Sequence, residues 1–527
     1  MSIPKALVPE IHFGTREVLC YAERPKHLPA MFADAVAANP GTSALICGDR
    51  RLTYADMDVE VSALAAGLAA QGVERGDRVA LLLGNDLAFP LLVFATLRLG
   101  AVVVPLSVRD QTPGLTHALI NSGAKVLITD ADVAAAVPRA DATPDLRARF
   151  VVGGTAAGFT GWAALRDVQA AVPEVARVDE EAPAAILYTS GTTGTPKGAM
   201  LTHLGIIHSA TAYATFFDLA PRDRGALLVP FSHVTGLVAC LMTTVRCRGG
   251  LIIEKEFKAP SFLRMAARER MSFTVMVPAM YNLMFVQDDP TRHDLKAWKV
   301  GGFGGAPMPE PTLKLLAEAL PDLKLVNCYG ATETTSPVVM MPAEHTAARR
   351  LSVGRASPGA VVRVMDAQGR ECPPSEKGEL WHAGAMVVPG YWNNPDATAR
   401  EFQDGYWKSG DLGSKDEEGF IYVHDRIKDV INRGGDNVYS AQVEGVLMEV
   451  SGVIEAACVA TPCPVLGERV HAVVVIDGTV TEERLHGHCA ANLAAYQCPE
   501  SYTLRTEALP RNANGKILKR ALRVNVT

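Results

Sequence analysis

The chain has 527 residues, 48% of them apolar and 20% charged. That is a globular composition long enough for a large core, which excludes disordered, collagen-like and disulfide-scaffold classes. Lys and Arg number 51 against 57 Asp and Glu, a net charge of −6. No basic excess exists to drive nucleic-acid or anionic-membrane binding, so neither partner is expected. At roughly 100–200 residues per domain, the length allows about three to five domains, or fewer large ones.

The N-terminus lacks the charged-then-apolar run of a signal peptide. Tyr54 to Gln71 reads as a helix, with Val59, Leu64 and Leu68 at helical spacing and a stop at Gly72. Short apolar runs follow at 78–83, 102–104 and 125–129, separated by helical stretches. The most apolar stretch, Leu87 to Leu97, is far short of the about 20 residues a membrane helix needs. The rhythm continues at 226–229, 250–253 and 274–277 and predicts parallel sheets covered on both faces. From about Val353, Gly, Pro and short strands predict a small β-rich subdomain. After Arg426 come helices at 440–449 and 482–492, with strands at 455–459 and 470–476. Ser440 is the expected N-cap of the first of these helices.

The expected fold is therefore α/β. Residues 1–426 form a large N-terminal domain of two α/β subdomains plus the β-rich one, and residues 427–527 a small α+β C-terminal domain. Ten cysteines occur without a CxxC pair, which reads as reduced thiols of a cytoplasmic protein. His486-Gly487-His488-Cys489 lacks the second ligand pair of a zinc site.

The most informative segment is Tyr188-Thr-Ser-Gly-Thr-Thr-Gly-Thr-Pro-Lys-Gly198, which follows the apolar run 184–187. Thr189, Ser190, Thr192 and Thr193 supply hydroxyls, Gly191 allows close backbone approach, and Lys197 supplies a cation. Such donors on a flexible loop suit phosphate oxygens. The segment is not the GxxxxGK[ST] loop, because Lys197 follows Pro196 and no Ser or Thr follows it. Further along stand Gly304-Gly305-Ala306-Pro307, Tyr329-Gly330-Ala-Thr332-Glu333-Thr-Thr335, Tyr406-Trp-Lys-Ser-Gly-Asp411, Asp425-Arg426-Ile-Lys428 and Gly434-Gly435. Near the end, Asn514-Gly515 is a turn signal that would present Lys516 on a tip.

In this order, across nearly the whole chain, these stations resemble those of the adenylate-forming enzymes: acyl-CoA synthetases, aryl-CoA ligases, luciferases and peptide-synthetase adenylation domains. The resemblance implies ATP, Mg²⁺ and coenzyme A as cofactors and co-substrates, with a small carboxylic acid as the group activated. It implies that the 188–198 loop grips phosphates, that Tyr329 stacks on adenine and Thr332 contacts the α-phosphate, and that Glu333 holds Mg²⁺. Gly305, Ala306 and Pro307 would pass beside the adenine, and Asp411 would bind the ribose. Ser409 stands where the family usually has Thr. Arg426 would reach the ribose and phosphates, and Lys428 matches a hinge that is often Asp. Many members have Gly where Asp425 stands. Gly434 and Gly435 would line the pantetheine tunnel, and Lys516 would contact the carboxylate and α-phosphate. His233, Gly304, Gly305 and Thr335 would border the acyl pocket, with His233 among the catalytic group of Lys516, Glu333 and Thr332.

The implied activity is an AMP-forming acid–CoA ligase acting on an aromatic or medium-chain carboxylate, as a monomer or homodimer. An adenylation enzyme that loads a separate carrier protein is the alternative, and a non-enzymatic binding module a third reading. The chain ends shortly after Lys516, so a fused carrier is not expected. Ser232 stands where amino-acid-activating relatives typically carry Asp, which disfavours amino acids.

Overall fold

The computed structural model describes residues 5–168, 171–189, 195–306, 308–511 and 517–523. Five sheets organise these residues.

The first large sheet has seven strands. Its central strands, Val102–Pro105, Arg78–Leu82 and Val126–Asp130, run parallel and are buried almost throughout. Near-continuous apolar runs suit strands covered on both faces. Its far edge is the antiparallel pair Pro183–Thr189 and Lys197–Thr202. The second sheet has nine strands, with Phe273–Met276 and Val300–Phe303 near its centre and Lys324–Tyr329 beside them. It also contains the hairpin Ser43–Cys47/Arg50–Thr53, at its other edge. The first 180 residues thus do not form one self-contained unit, because this early hairpin completes the later sheet.

Between the sheets lies a common core that includes the helices Tyr54–Ala70 and Ala88–Arg98. Thr53 caps the first of these in a reciprocal pair with Asp56. Its buried face runs through Met57, Val61, Leu64 and Leu68, whereas Val59 is 69% exposed. Val59 lies two positions off the Met57–Val61 line, which turns it to solvent. Ala88–Arg98 is buried all round up to Arg98, so its hydrophobicity reflects a central position.

A five-stranded antiparallel sheet follows: Val361–Met365, Gly378–Ala383, Tyr406–Lys415, Phe402–Gln403 and Ile421–Arg426. Beyond it, five strands between Ile431 and Arg505 make the last sheet. Helices Ser440–Met448 and Glu482–Asn492 pack on it around a separate core of Ile431, Val443, Leu447, Val474 and Leu485. The mixed α/β architecture, with a large first part and a small last part, agrees with the sequence expectation. Among the described residues, no helix is long and apolar enough to cross a membrane.

Candidate active site

The antiparallel strands Pro183–Thr189 and Lys197–Thr202 place Thr189 opposite Lys197. The hairpin therefore presents both ends of the Gly/Thr/Ser run at one point. Ser190, Gly191, Thr192 and Thr193 themselves lie outside the described residues, as do Pro307 and Lys516. The edge of Lys197–Thr202 is fastened to the segment 390–392. Ala199 bridges Tyr391, Trp392 N–H donates to Gly198 O (2.7 Å), and Met200 N–H donates to Gly390 O (3.2 Å).

That fastening brings two side chains to Lys197. Its ammonium, buried with the rest of the residue, pairs with the Glu401 carboxylate and lies 4.4 Å from the centroid of the Tyr391 ring. Glu401 ends the helix Pro395–Glu401, which Asn394 caps through Ala397 N–H (3.1 Å). The Tyr391 hydroxyl lies 2.7 Å from Glu401 Oε2 and 3.0 Å from Glu333 Oε1. Glu333 Oε1 also accepts from Thr189 Oγ1 at 3.2 Å. The structure thus brings Thr189, Lys197 and Glu333 together, and adds Tyr391 and Glu401 to them.

Glu333 sits in the tight turn Thr332–Thr334, anchored where Val388 N–H donates to its carbonyl (3.0 Å). The carboxylate is 7% exposed, and its Oε1 faces two hydroxyl donors. A buried hard-oxygen donor beside hydroxyls fits a magnesium ligand. Gly330 precedes this turn, and Thr332 is half-buried in it. Thr335 lies deeper, fully buried, with its hydroxyl 3.3 Å from the place a Gly205 side chain would occupy.

A second group stands on neighbouring strands. Tyr406–Lys415 and Ile421–Arg426 pair with Asp411 opposite Arg426. Arg426 Nε lies 2.5 Å from Asp411 Oδ1, and the Tyr329 hydroxyl donates to Asp411 Oδ2 at 2.5 Å. Burial alone would lower the Arg426 pKa, but the Asp411 carboxylate raises it and keeps the guanidinium charged. Burial, with the negative Asp411 beside it, raises the Tyr329 pKa. Ser409 fixes the turn by donating to Leu380 O (2.7 Å) and accepting from Asp411 N–H (3.0 Å).

Gly304 passes the neighbouring strand so closely that a Cβ would come within 2.4 Å of Cys328 O. Gly305 and Ala306 follow it directly. His233 is held by its own turn, with Thr235 N–H donating to Nδ1 at 3.2 Å, which leaves the ring proton on Nε2. Burial pushes its pKa down to about 4, so the ring is neutral near pH 7. The segment carrying it is tied to the first sheet by Asn85, which accepts from Phe231 N–H (3.1 Å) and donates to Val229 O (3.2 Å). From Thr235 to Met242 the chain winds as a π-helix, a rare geometry that is frequent near functional sites.

At the junction, Lys428 is exposed in the single turn Ile427–Asp429. Asp425 just before it is buried and accepts from Ser440 N–H (2.5 Å) and Ser440 Oγ (2.8 Å). Lys519 Nζ donates to Ser440 Oγ (2.6 Å) and pairs with Glu444 (2.6 Å). Ser440 is therefore the first helical residue after Tyr439, not the N-cap: its hydroxyl is committed to Asp425. Gly434 and Gly435, with φ of +65° and +100°, turn the chain between Ile431–Arg433 and Asp436–Val438. That backbone conformation strains any residue with a Cβ. The His486–Cys489 run forms no metal-binding group among the described residues.

Residues 32–392 match the family model for AMP-binding enzymes, and residues 442–516 match that for the AMP-binding enzyme C-terminal domain. The chain is 34% identical over 508 residues to the long-chain-fatty-acid–CoA ligase FadD13 of Mycobacterium tuberculosis (strain ATCC 25618 / H37Rv), covering 94% of this chain and 98% of that one. It is 35% identical over 496 residues to a feruloyl-CoA synthase of Amycolatopsis sp, covering 92% and 96%. Among solved structures, the o-succinylbenzoate CoA synthetase MenE of Bacillus subtilis, in complex with its acyl-adenylate intermediate, superposes with a TM-score of 0.84 at 28% identity, covering 94% of this chain and 97% of that one.

Proposed function

Because this chain belongs to the family of AMP-binding enzymes, we propose that it is an AMP-forming acid–thiol ligase that joins a carboxylic acid to coenzyme A. The observation that carries this reading is the meeting of Lys197, Glu333 and Thr189 in one bonded group, which also includes Tyr391 and Glu401.

In the first half-step a carboxylate oxygen attacks the α-phosphorus of ATP, and the bond to pyrophosphate breaks. The product is a mixed anhydride whose leaving group is AMP. Negative charge grows on the phosphate oxygens, so cations fixed in place lower the barrier. Lys197 supplies one such charge and Lys516 another. Glu333, with Thr332 beside it, would hold Mg²⁺, which neutralises phosphate charge. Asp411 accepts from the ribose hydroxyls, Tyr329 presents its ring to adenine, and the small residues Gly304, Gly305 and Ala306 leave room along the base. In the second half-step the CoA thiol attacks the acyl carbon, the carbon–oxygen bond to AMP breaks, and the thiol proton is lost to solvent.

Residues 427–527 move as a cap about Lys428, withdrawing Lys516 and bringing Gly434 and Gly435 to the thiol path. The separate core of the last sheet and the exposed, single-turn Lys428 support this division. The acyl pocket is bordered by His233, Gly304, Gly305 and Thr335. Its His233, kept neutral by burial, offers no cation to a second carboxylate, which favours an aromatic or medium-chain acid over a diacid. Ten free cysteines, nine of them buried, suit a reducing cytoplasmic compartment.

A panel of carboxylic acids assayed for ATP–pyrophosphate exchange and for CoA-dependent AMP release tests the reading. Exchange with at least one acid, and thioester formation with CoA, are expected. Exchange with none, or acyl transfer only to a carrier protein, overturns it. Lys516→Ala should abolish adenylate formation yet spare thioester formation from supplied acyl-adenylate, and Gly434→Trp should do the reverse.

A further inference from the structure

The pairing of Lys197 has a consequence for how the enzyme takes up and releases phosphate. A buried ammonium needs a partner, and Glu401 provides it. Burial would raise the Glu401 pKa, but Lys197, Tyr391 and Arg400 outweigh it and hold the carboxyl below its ordinary value. Glu401 is therefore a carboxylate at neutral pH. The Tyr391 hydroxyl stands within hydrogen-bond distance of two carboxylates, Glu401 and Glu333, but owns one proton. Only one of them receives it.

We propose that Glu401 is a positioning residue: it is the resting counter-ion of Lys197, and the phosphates of ATP replace it. Lys197, Glu401 and Glu333 together carry one net negative charge, so the group attracts a polyphosphate only when Lys197 turns from Glu401. As it does, Glu401 loses its cation, and the Tyr391 O–H hydrogen bond stays with it rather than with Glu333. The exchange weakens ATP binding and, run backwards, returns Lys197 to Glu401 as pyrophosphate leaves. No covalent step is involved. The proposal rests on Lys197 being a phosphate ligand, as in the reading above.

Direct calorimetric titration with ATP tests it without knowledge of the acid. Glu401→Gln keeps the shape and removes the competing charge, so the Kd for ATP should fall about ten-fold or more, the lower end of the scale of a close charge pair. Tyr391→Phe removes the hydroxyl donor that steadies Glu401 once its cation has left, so Lys197 is held harder and the Kd should rise. In a Lys197→Met background, Glu401→Gln should change the Kd by less than two-fold, because the competition no longer exists. A role confined to packing would give the first two variants the same sign. An unchanged or raised Kd in a folded Glu401→Gln, or a fall that persists without Lys197, overturns the proposal. If Glu401→Gln does not fold, the sign of Tyr391→Phe decides alone. Should this pattern hold while no acid supports pyrophosphate exchange, the ligase reading falls and the Glu401 assignment stands.

Discussion

Two lysines in this molecule each pair with a carboxylate, and they differ in where their partners come from. Lys197 meets Glu401 and Tyr391, all within the large body, through the fastening of strand 197–202 to segment 390–392. Lys519 meets Glu444 and, through Ser440, Asp425, which stands on the other side of Lys428. In the proposed mechanism the first group exchanges its ionic partner with substrate. The second spans the Lys428 turn, the proposed pivot of the cap, so its partners are protein on both sides. A buried charge pair is weak evidence for stability by itself. What these two show is that the location of the partners decides whether a pair serves chemistry or geometry.

Removing each lysine should break the comparison most sharply. Lys197→Met should lower pyrophosphate exchange by about 10²–10³-fold, the usual cost of losing a fixed charge at a developing anion. Thioester formation from supplied acyl-adenylate should change little, as a coupled CoA assay would show. Equal losses in both half-reactions would place Lys197 in a structural role. Lys519→Met should instead act on stability, by about 1–3 kcal/mol, because the half-buried Glu444 is left without its cation. Urea unfolding followed by hydrogen exchange should locate the loss in residues 427–523, with the body unaffected.

Ser440→Ala sharpens the contrast by leaving both charges in place. It removes one hydroxyl between Lys519 and Asp425, worth about 1 kcal/mol. The ratio of the two half-reaction rates should shift by less than ten-fold, with the Kd for ATP constant. A change in that Kd would mean that the two groups communicate. A separate, pH-dependent effect arises outside both. Burial lowers the pKa of His203 and His382 to about 3 and of His208 and His233 to about 4, from an ordinary value of 6.5. Folded, these rings bind fewer protons than they do unfolded. Their contribution is whole above pH 6.5 and is lost as the pH falls toward about 4. The Tm should decline through that window, and a flat profile would contradict the burial of these rings.

Much of the site was legible because its residues lie close in sequence and on regular strands. Asp411 and Arg426 face each other by register, and Tyr329 ends the strand 324–329. Thr189 and Lys197 are the two ends of one hairpin. Tyr391 and Glu401 were not legible, since their place beside Lys197 depends on a bridge between strands from distant segments. The one local trace is Asn394-Pro395, a helix-start signal that fixes where Glu401 falls. Ser440 misled as a cap because a serine before a helix carries no sign that a buried Asp425 will claim its hydroxyl. Similarly, nothing in the composition of 43–53 announces that its hairpin completes the second sheet.

Arg426 closes the strand whose partner bears Asp411, and the turn at Lys428 begins one residue later. In the proposed reaction the sugar is thus clasped on the stationary side of the pivot, as near to it as the chain allows. The activated acid stays where it was made while the cap turns beside it. In such a molecule the intermediate does not travel between workstations: the tools are changed around a fixed workpiece. Escape of a hydrolysable anhydride between steps is then governed by how quickly the cap turns, rather than by any journey the intermediate must make.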